Sequence, residues 1–184
     1  MLETERLLLR GWQPSDNAPF AALNADPEVT RYLNGPMTRG ESDELFGRIR
    51  GHWQDHGFGL YAVEVKDSGA FAGFVGLAIP SFLPDVLPAV EVGWRLSREH
   101  WGKGYATEAA RAALDFGFRD VNLARIVSCT VPGNERSWRV MMRLGMTYSP
   151  ADGFDHPLLP KDSPLRRHVT YVMWRPEWER LPPL

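Results

Sequence analysis

Residues 88–111 read PAVEVGWRLSREHWGKGYATEAAR. The stretch divides into a strand, a short glycine-containing loop and the opening turns of a helix. Alternation marks the strand: Val90, Val92, Trp94 and Leu96 share one face, and Glu91, Gly93 and Arg95 the other. Helical spacing of small residues marks the helix, at Ala106, Ala109, Ala110, Ala113 and Gly117. Between them lies Trp101-Gly102-Lys103-Gly104-Tyr105-Ala106-Thr107. Its two glycines and alanine let backbone N–H groups approach a ligand with no side chain in the way. A helix N-terminus behind such a loop offers unpaired N–H donors and the positive end of a dipole, which suits an anion, above all a phosphate. Lys103 adds a positive charge.

Three glycine loops fit this outline to different degrees. The triphosphatase loop requires G-x-x-x-x-G-K-[ST], which is absent. The dinucleotide fingerprint begins at Gly102-Lys103-Gly104, but Thr107 holds its third position, and no acidic residue closes the apolar run at residues 125–131. The pyrophosphate loop for coenzyme A in the GNAT N-acetyltransferases is [RQ]-x-x-G-x-[GA]. Trp101-Gly102-Lys103-Gly104-Tyr105-Ala106 resembles it, with Trp101 where Arg or Gln usually stands, a substitution similar to the RimJ/RimL-like branch. The opening T-E-R-L-x-L-R, followed by a helix and D-P-E-V-x-R-Y-L, resembles the start of that branch too. The alternative without a ligand is a tight strand-to-helix turn.

The resemblance runs from Leu2 to about Trp178 and implies one GNAT domain over residues 1–184. The implied fold is mixed α/β: a mostly antiparallel sheet of about seven strands, helices on both faces, and a splay between strands 4 and 5 where coenzyme A lies. The residues agree with the class. Residues 5–12, 60–66, 70–79, 126–131 and 168–175 read as further strands, and Asp67-Ser68-Gly69 joins two of them as a hairpin. Thr38 and Glu41 form a capping-box signal for a helix through Leu45, Ile49 and Trp53 that stops at Gly57. Pro14 and Asp16 open a helix carrying Phe20 and Leu23; Asp26-Pro27 opens a short one with Val29, Tyr32 and Leu33 inward. Residues 134–144 read as a helix closed by Gly145, residues 146–149 as a short strand and residues 151–164 as a loop. Residues 80–88 read as a proline-bearing connection partly packed through Phe82, Leu83 and Leu87.

Acetyl transfer to an amine needs a base, a donor for the carbonyl oxygen and an exit for the thiolate. Glu91-Val92-Gly93-Trp94 resembles the branch's E-[IV]-G-[YW], which makes Glu91 the candidate base; the alternative is a strand carboxylate paired with Arg95 or another basic residue. By the same resemblance, the backbone N–H near Leu96 meets the thioester oxygen, and main-chain groups of Trp94 and Leu96 pair with the pantetheine arm. Asn134-Glu135-Arg136-Ser137 resembles N-x-x-S, with Asn134 on the pantetheine arm or acting as a plain N-cap, and Ser137 donating to the leaving sulfur. Many GNAT enzymes use a Tyr four residues on, where Met141 stands here, so Ser137 or a water is left as the acid.

The implied activity is N-acetylation by acetyl-CoA of a primary amine, a small molecule or a protein N-terminus, by direct transfer in a ternary complex. The alternatives are a coenzyme A-binding sensor without turnover and transfer of a longer acyl group. A nucleotide-binding protein ranks behind these. The net charge of −2, from 21 basic and 23 acidic residues, gives no electrostatic footprint for nucleic acid or an acidic membrane. A single cysteine, Cys129, forbids an intrachain disulfide framework and fits a cytoplasmic setting; it reads as a core thiol. No metal site is expected: His52 and His56 have helical ligand spacing but no third ligand, and read as a solvated helix end. The acceptor, the acyl chain length and the choice of monomer or homodimer stay open. So does the loop at Asp155-His156, which either contacts the acceptor or is an ordinary turn. Arg139 and Arg143 are solvated charges, or Arg139 reaches the phosphates.

Overall fold

The computed structural model describes residues 1–82, 87 and 89–182. Strands β1 (Leu2–Glu3), β2 (Leu7–Arg10), β3 (Leu60–Val65), β4 (Ala70–Ala78) and β5 (Val90–Leu96) come first in the sheet. They are followed by β6 (Arg125–Thr130), β7 (Thr147–Tyr148), β8 (Phe154–Asp155) and β9 (Arg167–Trp174). The strand order is β1-β2-β3-β4-β5-β6-β9-β7, with β8 pairing β9. Among the described residues β5 and β6 pair in parallel and the other pairs are antiparallel. The expected mixed, mostly antiparallel sheet is therefore present, enlarged by two-residue strands.

Helices α1 (Asn17–Ala25), α2 (Arg39–His56), α3 (Tyr105–Arg119), α4 (Glu135–Arg143) and α5 (Arg175–Trp178) cover both faces. On one face Ala109, Ala110, Ala113 and Leu114 of α3 pack with Val140 and Met141 of α4 against Leu7, Leu9, Val75, Leu77 and Val92. Alternation dictates this: Leu7 and Leu9 are fully buried, while Arg10 leaves on the opposite face and binds Asp16 at 2.8 Å and Glu64 at 2.7 Å. Gly117 lets α3 lie close, because a Cβ there would sit 2.6 Å from Ile126 Cδ1. The other face carries Phe20, Leu23, Phe46 and Ile49 of α1 and α2 on Phe74, with Trp12 edge-on to Phe20 and Phe46 at 5.2 Å. Thr38 and Glu41 form the capping box, and Gly57 (φ 72°) closes α2.

Three expectations are corrected. Residues 26–35 form successive turns, not a helix. The Asp26 carboxylate accepts from the N–H of Glu28 (2.8 Å) and binds Arg98 (2.9 Å), so the local signal is spent on a side-chain turn, and Leu33 is exposed. His52 is not solvated: its Nδ1 donates to Phe58 O (2.9 Å) and its Nε2 accepts from Ile79 N (3.0 Å), fastening α2 to the end of β4. Burial first, and the neighbouring His56, hold its pKa below the usual histidine value. The 151–164 segment contains β8 within its turns. In the 80–88 connection, Phe82 and buried Leu87 pack with Phe154, whereas Leu83 lies outside the described residues.

Candidate active site

The sheet opens at β5. Ser97 N donates to Ala72 O (3.0 Å) on the β4 side. By strand alternation the main-chain groups of Trp94 and Leu96 then point the other way, toward β6. Yet β5 and β6 pair only at Val90↔Ile126 and Glu91↔Val127. Beyond Glu91 the strands part, and those main-chain groups face a gap. Trp101 Nε1 donates to Leu96 O (2.7 Å), which ties the following loop back to the strand.

The gap is part of a cleft of about 1520 Å³. Glu91, Trp94, Leu96, Trp101, Gly102, Gly104, Tyr105, Ala106, Thr107, Asn134 and Ser137 all line it. Lys103 does not: its side chain is exposed, and its carbonyl accepts from Arg6 Nη1 at 2.9 Å. Gly102 (φ 74°) and Gly104 (φ 82°) hold left-handed backbone that other residues rarely adopt. These conformations let the chain reverse directly into α3, whose first N–H groups open onto the cleft.

Arg6 is the residue that sequence reasoning missed. Besides Lys103 O it binds Glu108 through Nε (2.7 Å), lies over the Tyr105 ring at 4.9 Å, and so clamps the loop from β2. Burial would raise the Glu108 carboxyl, but hydrogen bonds from Thr4 and Arg6 hold it below the usual range. No sequence signal links positions 97 apart, as Arg6 and Lys103 are. Arg136 stacks on Trp101 at 4.5 Å, and Arg139 and Arg143 also line the cleft. Arg139 is paired with Glu135 at 2.8 Å, both exposed.

Glu91 sits where the strands separate. Its carboxylate accepts from Cys129 N at 3.2 Å and is not ion-paired with Arg95. Burial pushes its pKa up to about 7, with the Cys129 N–H opposing. Asn134 does not cap α4 with its side chain; Nδ2 donates to Thr130 Oγ1 at 3.0 Å. Met141 is fully buried in the core and absent from the cleft lining, so position 141 presents nothing to a ligand here. Cys129 borders the cleft, yet burial first and Glu91 second push its thiol far above the usual range. His156 packs on Phe82 at 4.1 Å and does not line the cleft. Among the described residues no group of three or more His, Cys, Asp or Glu is arranged to hold a metal ion, and no helix is long and apolar enough to cross a membrane.

Residues 6–147 match the model of the acetyltransferase (GNAT) domain. The chain is 35% identical to the uncharacterized protein YkkB of Bacillus subtilis over 149 residues, 80% of this chain and 86% of that one. It is 29% identical to the ribosomal protein uS5-alanine N-acetyltransferase of Escherichia coli over 121 residues, 66% of this chain and 58% of that one. The crystal structure of the acetyltransferase from Agrobacterium tumefaciens superposes with a TM-score of 0.77 at 30% identity, over 94% of this chain and 92% of that one. A sheet that parts after Glu91, a glycine loop entering α3 and these likenesses agree: the chain belongs to the acetyltransferase (GNAT) family and is an acetyl-CoA-dependent N-acetyltransferase.

Proposed function

We propose that this protein acetylates a primary amine by direct attack of the amine on acetyl-CoA, with Glu91 as the general base. The observation that carries the reading is the position of Glu91: a carboxyl of pKa about 7 at the point where β5 and β6 part, lining one cleft with the glycine loop. A base works best when its pKa lies near the working pH.

The residues fit the cosubstrate. Gly102, Gly104 and the first turn of α3 present N–H groups and a dipole suited to a pyrophosphate. Arg136, stacked on Trp101, adds positive charge at that end, and Arg139 and Arg143 line the same cleft. The edge of β5 beyond Glu91 offers the main-chain groups of Trp94 and the Leu96 N–H to a pantetheine amide in the manner of an added strand, Leu96 O being held by Trp101 Nε1. Acetyl-CoA supplies an activated acyl carbon and a thiol leaving group. The chain's own part is to orient, to take a proton and to give one. Glu91 receives the proton of the incoming ammonium. The Leu96 N–H is the candidate donor to the developing oxyanion. Ser137 lines the cleft; its N–H is spent on Asn134 O, but among the described residues its hydroxyl makes no hydrogen bond, which leaves it available to the leaving sulfur.

The acceptor classes are small amines and protein N-termini; the E. coli relative's name specifies an alanine of a ribosomal protein. Burial keeps the Cys129 thiol un-ionised, which disfavours it as an acyl carrier and favours direct transfer over an acyl-enzyme. The test is an amine panel with acetyl-CoA, read as free thiol released and acetylated amine formed. Turnover of at least one amine is expected. Tight binding of acetyl-CoA with no transfer to any amine would support a sensor instead.

A further inference from the structure

Arg95 is the side chain that the account above leaves without a task. It shares the β5 face with Glu91 and Gly93 and lines the same cleft. Its guanidinium lies over the Phe74 ring at 5.2 Å, and Nη1 donates to Asn24 Oδ1 at 2.5 Å. Asn24 is fully buried, and its Nδ2 donates to Ser42 Oγ at 2.9 Å, itself fully buried. That second bond fixes the amide so that its oxygen faces the guanidinium. The arginine is thus held in place by a buried polar relay.

Among the described residues no carboxylate lies within ion-pairing distance of Arg95, whose side-chain partner is the neutral Asn24 amide. Burial draws its pKa down to about 10, so it remains a cation at neutral pH. A half-buried charge that lacks a counter-ion costs free energy, and an anion entering the cleft removes that cost. A guanidinium that lines a cleft and spends only Nη1 on Asn24 keeps N–H groups that can match a carboxylate bidentately.

The floor between the two charges is open. A Cβ at Gly93 would meet nothing within 4 Å. Glu91 and Arg95 are four residue steps apart along the strand, about 13 Å between their Cα atoms. At one end of that floor Glu91 accepts from Cys129 N, and at the other Arg95 donates to Asn24 Oδ1, the first anionic or neutral, the second cationic.

We propose that Arg95 makes the acceptor side selective for amines that also carry a carboxylate, the carboxylate resting on the guanidinium while the amine reaches across Gly93 to Glu91. This rests on the acetyltransferase reading above and adds the substrate class to it. Free amino acids and peptides with an acidic residue near the N-terminus share this chemistry.

The test pairs each acid with its neutral amide: glycine, β-alanine, 4-aminobutyrate and 6-aminohexanoate for small molecules, and C-terminally amidated Ala-Glu against Ala-Gln for peptides. In wild type at least one acid should exceed its amide in kcat/KM by roughly 10–100-fold, the scale of a charge-assisted hydrogen-bonded pair. The arm that shows the preference identifies the source of the carboxylate. In Arg95→Met the acid-to-amide ratio should fall to near one, and Arg95→Lys should restore only part of it. A ratio near one for every pair in wild type overturns the proposal, and so does a ratio that survives in Arg95→Met. If Arg95→Met does not fold, the wild-type ratios decide alone. The same ratio is read without turnover by titrating the coenzyme A-saturated protein with the N-acetylated acids and amides. Acids bound tenfold more tightly support the proposal even if no amine is acetylated, an outcome that would sink the transferase reading instead. Equal binding of acids and amides overturns it.

Discussion

The Glu91 carboxylate accepts the main-chain N–H of Cys129 across the point where β5 and β6 cease to pair, at 3.2 Å. One strand thus spends a side chain on the other's orphaned donor. The bond positions the carboxylate at the mouth of the splay and leaves its second oxygen for a substrate. Burial outweighs this single bond, so the carboxyl is pushed up to about 7.

That shift has a consequence for stability. The folded pKa of Glu91 lies above its ordinary value of 4.5, so the folded state holds the proton more tightly than the unfolded chain. Its contribution is full below about pH 4.5 and is lost as pH rises through about 7. Glu91→Gln keeps a neutral side chain throughout. The variant should therefore gain on wild type between these pH values, by at most about 3 kcal/mol and less to the extent that water reaches the carboxyl. Denaturant unfolding of both proteins at pH 5 and pH 8 reads the difference. A variant that loses ground as pH rises would mean that Glu91 is a stabilising ion-pair partner.

Gly104→Val should abolish acetyl-CoA binding. The backbone there is left-handed, φ 82°, and an added Cβ would lie 3.3 Å from Arg6 Nη2. A branched residue strains the turn and covers the N–H groups meant for the pyrophosphate. Acetyl-CoA should raise the melting temperature of wild type, by mass action, and not that of the variant. A folded Gly104→Val protein with a normal shift would move the site elsewhere.

Arg6→Ala should loosen the loop without touching the strand–helix core. The guanidinium holds Lys103 O at 2.9 Å and Glu108 at 2.7 Å but is substantially exposed, so each contact is worth less than a buried one. The expected outcome is a rise in the acetyl-CoA dissociation constant of roughly fivefold, about 1 kcal/mol, by calorimetry. An unchanged constant would show that the loop keeps its shape unaided.

Cys129→Ala should leave turnover within a few-fold of wild type. Its thiol is held un-ionised by burial, and the contact it makes to Glu91 runs through the backbone N–H, which alanine retains. Native protein should also react slowly with iodoacetamide at pH 8. Loss of activity with an acetylated Cys129 detected by mass spectrometry would establish an acyl-enzyme.

Much of this was legible before any coordinates. Alternation in Val90–Leu96 gave the strand and its two faces, and small residues at helical spacing gave α3. Thr38 with Glu41 marked the start of α2, and Gly57 its end. Local signals failed where a side chain was claimed by a distant partner. Asp26 resembles a helix start, yet its carboxylate is held by Arg98, 72 positions away. His52 looked solvated because nothing local tells of Phe58 O and Ile79 N on either side of its ring. Arg6 and Arg95 were invisible as site residues for the same reason. The alternative of an ion pair between Glu91 and Arg95 is not realised, because Glu91 is turned to Cys129 N and Arg95 to Asn24.

The most direct measurement is kcat/KM for an accepted amine from pH 5.5 to 9.5, in wild type and Glu91→Gln. With Glu91 as base, wild-type activity should rise through about pH 7 as the carboxyl ionises, and the variant should lie roughly 10²–10⁴-fold lower at neutral pH. The variant should recover partly at high pH, where the free amine carries no proton, while its acetyl-CoA affinity stays near that of wild type. Near-normal turnover in a stable Glu91→Gln protein, with the same pH profile as wild type, would contradict the account and remove Glu91 from the chemistry.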